Sequence, residues 1–411
     1  MAILGYIKKH GILHAIQVFY KYKLNIIYCK FINLFFKNKK LLNMIIIESH
    51  NDFDCNGGAF YDYLVKNNYN EKYKIIWLLK NKKRKLKEKN VKQLYLFKPS
   101  FRKAYYICRA KFFTFDNTYT AKIRPDQITI YFTHGAVSLK NCYGQIHIPD
   151  AVNYILSPSK NYDEVLCKQY GILYPDTRFI HPGFPCHDVL YQDIPNELEK
   201  ITTKKYNKII LWMPTFRKGG GYKRNDSLVD QRFGIPLIDT EEELKLLQDF
   251  LKERNNLLII KIHPKQDLNT IKSLYNQENI IILTGKKMKD LNLDNYRLFK
   301  SCDAIISDYS AVAFSFLLLN KPIGFILSDL KEYKLGVSVE NIEDYLVGPS
   351  IYTFEDFVNF VDDVDKEKDT FAEKREELID FLYKYKDGNS CKRIVEILGL
   401  DDERESVKAS K

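Results

Sequence analysis

The chain has 411 residues, of which 45% are hydrophobic, and this favours two domains of ordinary size and excludes a largely disordered chain. Its formal net charge of +12 favours anionic partners, which include membrane lipid, nucleic acid, polyphosphate and nucleotide substrates. The eight cysteines show neither CxxC pairs nor metal-ligand spacing, so we expect reduced thiols in the cytoplasm and no metal site.

Residues 1–43 form the first predicted element, a basic amphipathic helical segment. The first 47 positions contain eight lysines and no acidic residue. Ile12, Ile16 and Phe19 follow helical spacing, and lysines interrupt the apolar stretch before it reaches the roughly 18 residues of a membrane-spanning helix. A helix that combines lysines with aromatic residues can lie on an anionic membrane. We favour this membrane association and keep a helical hairpin packed on the first domain as the alternative.

Short apolar runs alternate with helical stretches through the rest of the chain. The first group of predicted strands comprises Met44–Glu48, Ile75–Leu79, Ala110–Phe115, Ile128–Phe132, Val152–Leu156 and Arg178–Ile180. The second group comprises Ile209–Met213, Leu257–Ile262, Ile280–Leu283, Ala304–Ile306 and Ile323–Leu327. This alternation predicts an α/β protein with two doubly wound, Rossmann-like domains, residues 44–190 and 205–400, facing each other across a cleft. The stretch from Phe354 to Leu400 is predicted to be helical.

Two predicted strands end at a histidine, and ligands of open parallel sheets bind beyond such carboxyl ends. His134 precedes Gly135, which permits an unusual dihedral angle and close approach of the backbone. His263 precedes Pro264, which biases it towards an extended conformation. His134 could act as a general base on a hydroxyl, and His263 could stabilise charge on a leaving phosphate. Either imidazole, taken alone, could instead be a hydrogen-bonded structural histidine.

Two further strand ends carry groups that suit an anion. Arg217 and Lys218 open a glycine-rich turn, where a cation can bind polyphosphate or simply lie in solvent. A Ser-Asp-Tyr-Ser turn at 307–310 precedes a helix-like run, and the positive end of a helix stabilises phosphate. Asp308 and Ser310 could also be ordinary helix caps. Together, the four turns favour a site for a phosphorylated donor.

Several blocks, in one order along the chain, resemble the CDP-glycerol glycerophosphotransferase family, whose members prime or polymerise teichoic acids and some capsule polymers. The resemblance runs from about Ile45 to about Leu398. Its blocks are the His-Gly block at 133–140, the MPTFR block at 213–217, KIHP at 261–264, the Asp-Tyr-Ser block with its downstream Lys321-Pro322, Gly348-Pro349 and Asp387-Gly388. The chain departs from the family pattern at Thr133, where tryptophan is usual, and at Cys186 and His187, where arginine and asparagine are common.

The resemblance implies a fold of the glycosyltransferase-B type and transfer of glycerol phosphate or ribitol phosphate from CDP-glycerol or CDP-ribitol. The expected acceptor is a hydroxyl of a lipid-linked glycan or polyol-phosphate polymer, with the enzyme peripheral on the inner face of the plasma membrane. No cofactor and no nucleic acid are expected. The implied site residues are His134 and His263 for catalysis, Gly135 and Pro264 as turns, and, for donor binding, Arg217, Lys218, Asp308, Ser310 and Lys321.

Two alternatives stay open on the sequence. One is a sugar transferase of the same fold that uses a CMP- or UDP-sugar for surface polysaccharide, because a fold does not decide the donor. The other is a basic scaffold that binds anionic membranes or nucleic acid without turnover. The grouping of candidate side chains at strand ends argues against the scaffold.

Overall fold

The computed structural model of the chain describes Ile7 and residues 11–133, 135–144, 146–215, 233–263, 277–334 and 336–401. Within these ranges there are two parallel β-sheets, one from each half of the chain. None of the helices in them combines the length and the apolar character needed to span a bilayer. The sequence also predicts a helix near residues 268–275, which lie outside the described residues.

The first sheet has seven parallel strands in the order β3-β2-β1-β4-β5-β6-β7. They are β1 (Leu42–Glu48), β2 (Lys74–Leu79), β3 (Val91–Tyr95), β4 (Ala110–Phe115), β5 (Ile128–Tyr131), β6 (Tyr154–Leu156) and β7 (Phe179–Ile180). In β1, Ile45 and Ile47 belong to the apolar cluster on one face, while Met44 and Ile46 belong to that on the other. Burial on both faces explains why the strand is a continuous apolar run.

The second sheet has six parallel strands in the order β10-β9-β8-β11-β12-β13. They are β8 (Ile209–Trp212), β9 (Leu257–Lys261), β10 (Ile280–Leu283), β11 (Ala304–Ser307), β12 (Ile323–Ile326) and β13 (Ser350–Ile351). In each sheet the strand that comes first in the chain, β1 or β8, is an interior strand, and the later strands are added on both sides of it. The prediction of an α/β protein with two Rossmann-like parallel sheets is therefore confirmed.

Helices cover the faces of the sheets. The described α-helices are α1 (Ile12–Val18), α2 (Leu24–Phe36), α3 (Cys55–Lys66), α4 (Phe101–Arg109), α5 (Asp163–Tyr170), α6 (Glu241–Glu253), α7 (Gly285–Asp290), α8 (Asn295–Lys300), α9 (Ala311–Leu317), α10 (Phe354–Asp365), α11 (Ala372–Leu382) and α12 (Ser390–Leu398). A π-helical turn at Phe19–Lys23 joins α1 to α2, and a 3-10 segment at Pro185–Tyr191 forms the exit from the first domain.

Helix α2 of the N-terminal segment lies against the first domain. Cys29 of α2 is buried, and its carbonyl oxygen accepts a hydrogen bond from Cys108 Sγ of α4 at 3.2 Å. Tyr28 stacks on Phe101 with ring centroids 4.4 Å apart. The segment therefore packs on the first domain through α2, but α1, the π-helical turn and α2 follow one another with helical backbone angles at both junctions, so the expected helical hairpin is not observed.

The last described helix, α12, crosses back and packs on the first domain. The carboxylate of Asp188, in the exit segment, accepts hydrogen bonds from the backbone N–H groups of Ser390 and Cys391, each at 2.9 Å. Just beyond α12, the carbonyl of Leu400 accepts a hydrogen bond from Tyr73 Oη of the first domain at 3.2 Å. The range 205–400 predicted for the second domain therefore includes a helix that lies on the first.

Candidate functional site between the two sheets

A buried aspartate joins two neighbouring strand ends of the second sheet. Asp308 follows β11, and its side chain is 1% exposed. Its carboxylate accepts hydrogen bonds from Thr215 just beyond β8, from the backbone N–H at 2.8 Å and from the hydroxyl at 2.5 Å. Ser307 Oγ donates to the carbonyl of Met213 at 3.0 Å. Asp308 therefore positions the start of the segment that carries Arg217 and Lys218 in the sequence.

Ser310 begins helix α9. It is the N-cap residue, with extended backbone angles (φ −80°, ψ 148°), yet in the part of the chain that the structure describes its hydroxyl makes no capping hydrogen bond. Helix α9 continues as an apolar run in which Ala313, Phe314 and Phe316 are buried. The simple capping role considered for Ser310 is thus not observed.

The end of β9 lies beside the end of β8 and carries two basic side chains. His263 follows the strand by two residues and is exposed. Lys261 is the last residue of the strand and is half-buried. Burial lowers the pKa of Lys261 to about 8, and the carboxylates of Asp294 and Asp54 act in the opposite direction. Asp54 belongs to the first domain, so this interaction links the end of β9 to that domain.

Lys261 is a candidate site residue that the sequence interpretation missed. The sequence does contain an indication of this role, because Lys261 is the last residue of an otherwise apolar, buried strand and lies only two residues before His263. A cation at the carboxyl end of a parallel strand is placed to contact an anionic ligand.

The opposite wall of the site is the turn after β5 in the first domain. Thr133 has a left-handed backbone (φ +61°), which is unusual for a β-branched residue and costs on the order of 1–3 kcal/mol. Its hydroxyl donates to the carbonyl of Gly135 at 3.0 Å, and Gly135 itself has φ +98°, the unusual dihedral angle that was predicted. Such strain persists where the surrounding structure enforces it, commonly at functional sites.

This turn touches the second domain at the start of α9. A Cβ atom placed on Gly135 would lie 2.8 Å from the Cβ of Ala311, which is closer than real side chains approach. Nearby, Leu139 N donates to the carbonyl of Tyr309 at 3.3 Å, and Ser338 N donates to the carbonyl of Leu139 at 2.8 Å. The two domains therefore meet where the His-Gly turn faces the Ser-Asp-Tyr-Ser turn.

Several predicted site residues can be placed, and several cannot. Gly135, His263, Asp308 and Ser310 lie at the facing sheet edges, as the strand-end argument predicted. Four others lie outside the described residues: His134, Arg217, Lys218 and Pro264.

Lys321 requires a correction. It precedes β12, so it lies at the amino end of the second sheet, opposite to the edge that carries Asp308. Its Nζ donates to the carbonyl of Cys302 at 2.6 Å and to that of Lys300 at 3.3 Å, at the end of helix α8. A lysine interacts favourably with the exposed carbonyls of a helix C-terminus, so we assign Lys321 a structural role in place of donor binding.

His187, one of the departures from the family pattern, is a buried structural residue. Its Nε2 lies 3.0 Å from Ser315 Oγ of α9, and burial lowers its pKa to about 3. Its ring also packs beside Tyr296 and Tyr383, with centroids 5.6 and 5.9 Å away. The neutral imidazole therefore joins the exit segment of the first domain to the second.

Comparison with known proteins shows which family the sequence matches. Residues 28–399 match the family described as CDP-glycerol:poly(glycerophosphate) glycerophosphotransferase. A teichoic acid poly(glycerol phosphate) polymerase of Bacillus spizizenii (strain W23) is 26% identical over 337 residues, 74% of this chain and 78% of that protein. A teichoic acid glycerol-phosphate primase of Bacillus subtilis (strain 168) is 31% identical over 187 residues, 44% of this chain and 41% of that protein.

Solved structures share the fold. The wall teichoic acid polymerase TagF superimposes with a TM-score of 0.72 at 19% identity, covering 98% of both chains. A TagF variant soaked with CDPG superimposes with a TM-score of 0.70 at 18% identity, again over 98% of both chains. The family match extends over most of the sequence, which confirms the predicted family and transferase class: the chain belongs to the CDP-glycerol:poly(glycerophosphate) glycerophosphotransferase family.

Proposed function

We propose that the protein transfers glycerol phosphate, or ribitol phosphate, from a CDP-activated donor to a hydroxyl of a lipid-linked glycan or polyol-phosphate acceptor and releases CMP. The observation that carries the proposal is the contact of Gly135 with Ala311. It brings the turn at Thr133–Gly135 of the first domain against the Ser-Asp-Tyr-Ser turn of the second, which is suited to bind phosphate. Family membership and the printed names of the relatives, which act in teichoic acid synthesis, support the same reaction.

The proposed chemistry is an in-line attack of the acceptor hydroxyl on the outer phosphorus of the donor. A new oxygen–phosphorus bond forms, the bond to the CMP oxygen breaks, and the hydroxyl proton passes to His134. His263, Lys261 and Arg217 counter the charge that develops as CMP leaves. In phosphoryl transfer a protein contributes mainly positioning and electrostatic stabilisation, which such a set of histidines and cations can supply.

The two domains divide the substrates in this proposal. The second domain holds the nucleotide and its diphosphate, because Lys261 and His263 stand at the end of β9 and Asp308 at the end of β11, the two strands that flank β8. The first domain holds the acceptor, with the turn at Thr133–Gly135 next to its hydroxyl. The arrangement corresponds to a fold of the glycosyltransferase-B type.

A donor screen tests the reaction. The purified protein is incubated with CDP-glycerol, CDP-ribitol, a CMP-sugar or a UDP-sugar and a panel of lipid-linked acceptors, and nucleotide release and product mass are measured. We expect CMP release with a CDP-polyol and an acceptor heavier by one or more polyol phosphate units. Nucleotide release from a sugar donor alone would establish the sugar-transferase alternative, and binding without any turnover would establish the scaffold.

We also propose that the N-terminal segment docks on the anionic inner face of the plasma membrane. Its outer face carries apolar side chains in the open, including Leu13 at 74%, Leu34 at 65% and Phe35 at 63% exposure. Lysines and no acidic residues accompany them in the sequence. A helix with an apolar face and basic flanks binds an anionic lipid surface through both contributions.

The double variant Leu34→Ser/Phe35→Ser should lose most of its binding to vesicles that contain anionic lipid. Both side chains are exposed, so the fold should persist. The matched control is Leu246→Ser/Phe381→Ser, which removes two exposed apolar side chains from α6 and α11 and should bind as the wild type does. Co-sedimentation at several salt concentrations measures both, and equal binding by the two variants would refute the docking proposal.

A further inference from the structure

A buried asparagine holds the turn that carries the histidine of the first domain. Asn56 lies in the first turn of α3 and is fully buried. Its Nδ2 donates to the carbonyl of Phe132 at 3.2 Å and to that of Thr133 at 3.3 Å. Its Oδ1 accepts a hydrogen bond from the backbone N–H of Cys186 at 3.2 Å. One amide thus binds the two peptide carbonyls immediately before position 134 and the exit segment of the domain.

The turn needs such support because its backbone is strained. Thr133 and Gly135 both have positive φ angles, and buried carbonyl groups require donors. The asparagine is itself held in place, since the next residue, Gly57, donates its N–H to both carboxylate oxygens of Asp116 at 3.1 Å. Asp116 follows β4, the strand beside β5, so the sheet, helix α3 and the turn form one connected unit.

The Oδ1 atom of Asn56 binds the exit segment, which connects the two domains. Cys186 belongs to the exit segment, in which the neighbouring His187 lies against Ser315 of α9 and Asp188 binds the start of α12. A shift of the exit segment would therefore be transmitted to the Thr133 carbonyl through a single side chain. Helix α9 is also the element that Gly135 touches.

We propose that Asn56 is a positioning residue for transfer: it holds the backbone of Phe132 and Thr133, which immediately precede His134, and links it to the exit segment of the first domain. This inference rests on the proposed function, in which His134 accepts the proton of the acceptor hydroxyl. Asn56 acts through the turn, and its amide groups are engaged by the protein itself.

Asn56→Ala should lower kcat by about 10²-fold, because displacement of a reacting group by roughly 1 Å has an effect of that size. The affinity for the CDP-polyol, measured by calorimetry, should stay at the wild-type value because the nucleotide binds the other domain. The control is Asn279→Ala. Asn279 is also a buried amide that binds two carbonyls, those of Asn256 at 2.7 Å and Leu251 at 3.5 Å, but it precedes β10 at the far edge of the second sheet.

A second readout does not depend on turnover. Diethyl pyrocarbonate modifies accessible imidazoles, and peptide mass spectrometry gives the rates for His134 and, as an internal reference, His263. The ratio of the two rates should change in Asn56→Ala and stay constant in Asn279→Ala. If the wild-type protein transfers nothing from a CDP-polyol, the proposed function fails while this ratio still decides the role of Asn56.

The isosteric variant Asn56→Asp provides a second test in case Asn56→Ala does not fold. It keeps the side-chain acceptor for the Cys186 N–H and removes the amide N–H groups that donate to the turn. A folded Asn56→Asp protein with reduced kcat and an altered modification ratio supports the proposal. Wild-type kcat together with a wild-type ratio in either folded variant overturns it.

Discussion

His134→Ala should reduce CMP release by about 10²–10⁴-fold, which is the usual contribution of a general base. The acceptor hydroxyl then keeps its proton during attack, while the nucleotide still binds the second domain. Turnover is measured by chromatography of released CMP, and donor binding by calorimetry. The expected combination is a nearly inactive protein with wild-type affinity for the CDP-polyol.

His181→Ala is the matched control for this variant. His181 is another histidine of the first domain, and its Nε2 lies 3.0 Å from both carboxylate oxygens of Asp163. Its replacement should leave turnover unchanged. Wild-type turnover in a folded His134→Ala protein would remove His134 from the mechanism, and loss of donor binding would move it to the nucleotide site.

Asp308→Ala should impair both stability and donor binding. A hydrogen bond to a charged group contributes about 1.5–3 kcal/mol, and the variant deletes the acceptor of two such bonds from Thr215. We therefore expect the free energy of unfolding to fall by about 3 kcal/mol or more, measured by urea denaturation. The segment after Thr215 should lose its anchor, and donor affinity should fall with it.

Two neighbouring variants separate these effects. Asp308→Asn keeps the shape and one acceptor for the Thr215 N–H, so it should lose less stability than the alanine variant. Ser310→Ala should leave stability nearly unchanged, since the hydroxyl makes no capping bond among the described residues, and should weaken donor binding if Ser310 contacts the donor. A stable Asp308→Ala protein with normal donor affinity would show that the carboxylate has neither role.

The strands could be predicted closely because buried parallel strands are continuous apolar runs. Ala110–Phe115 and Ile280–Leu283 coincide with their predicted bounds, and the other predicted strands differ by one or two residues at an end. Two strands of the described ranges were not predicted. The half-buried edge strand Val91–Tyr95 mixes polar and apolar residues, and Ser350–Ile351 has only two residues.

The site was predictable only where chain order decides it. Parallel strands end at one edge, so Asp308 and His263 could be assigned to the same edge without coordinates. Lys321 could not be placed correctly, because nothing in the sequence shows that a helix ends beside it. Asn56 was not singled out at all, since its partner Phe132 lies 76 residues away along the chain. Such long-range hydrogen bonds require the folded structure.

The return of α12 to the first domain bears on how the enzyme can move. In the described ranges the polypeptide passes between the two domains twice, once at the exit segment and once ahead of Ser390, and Asp188 connects the two passages. Two neighbouring connections between domains are typical of a hinge, so we expect the domains to open by rotation about an axis near Asp188. In such a motion the edges of the domains far from Asp188 would move most, whereas Asn56 and His187, which contact or belong to the exit segment, would keep their positions.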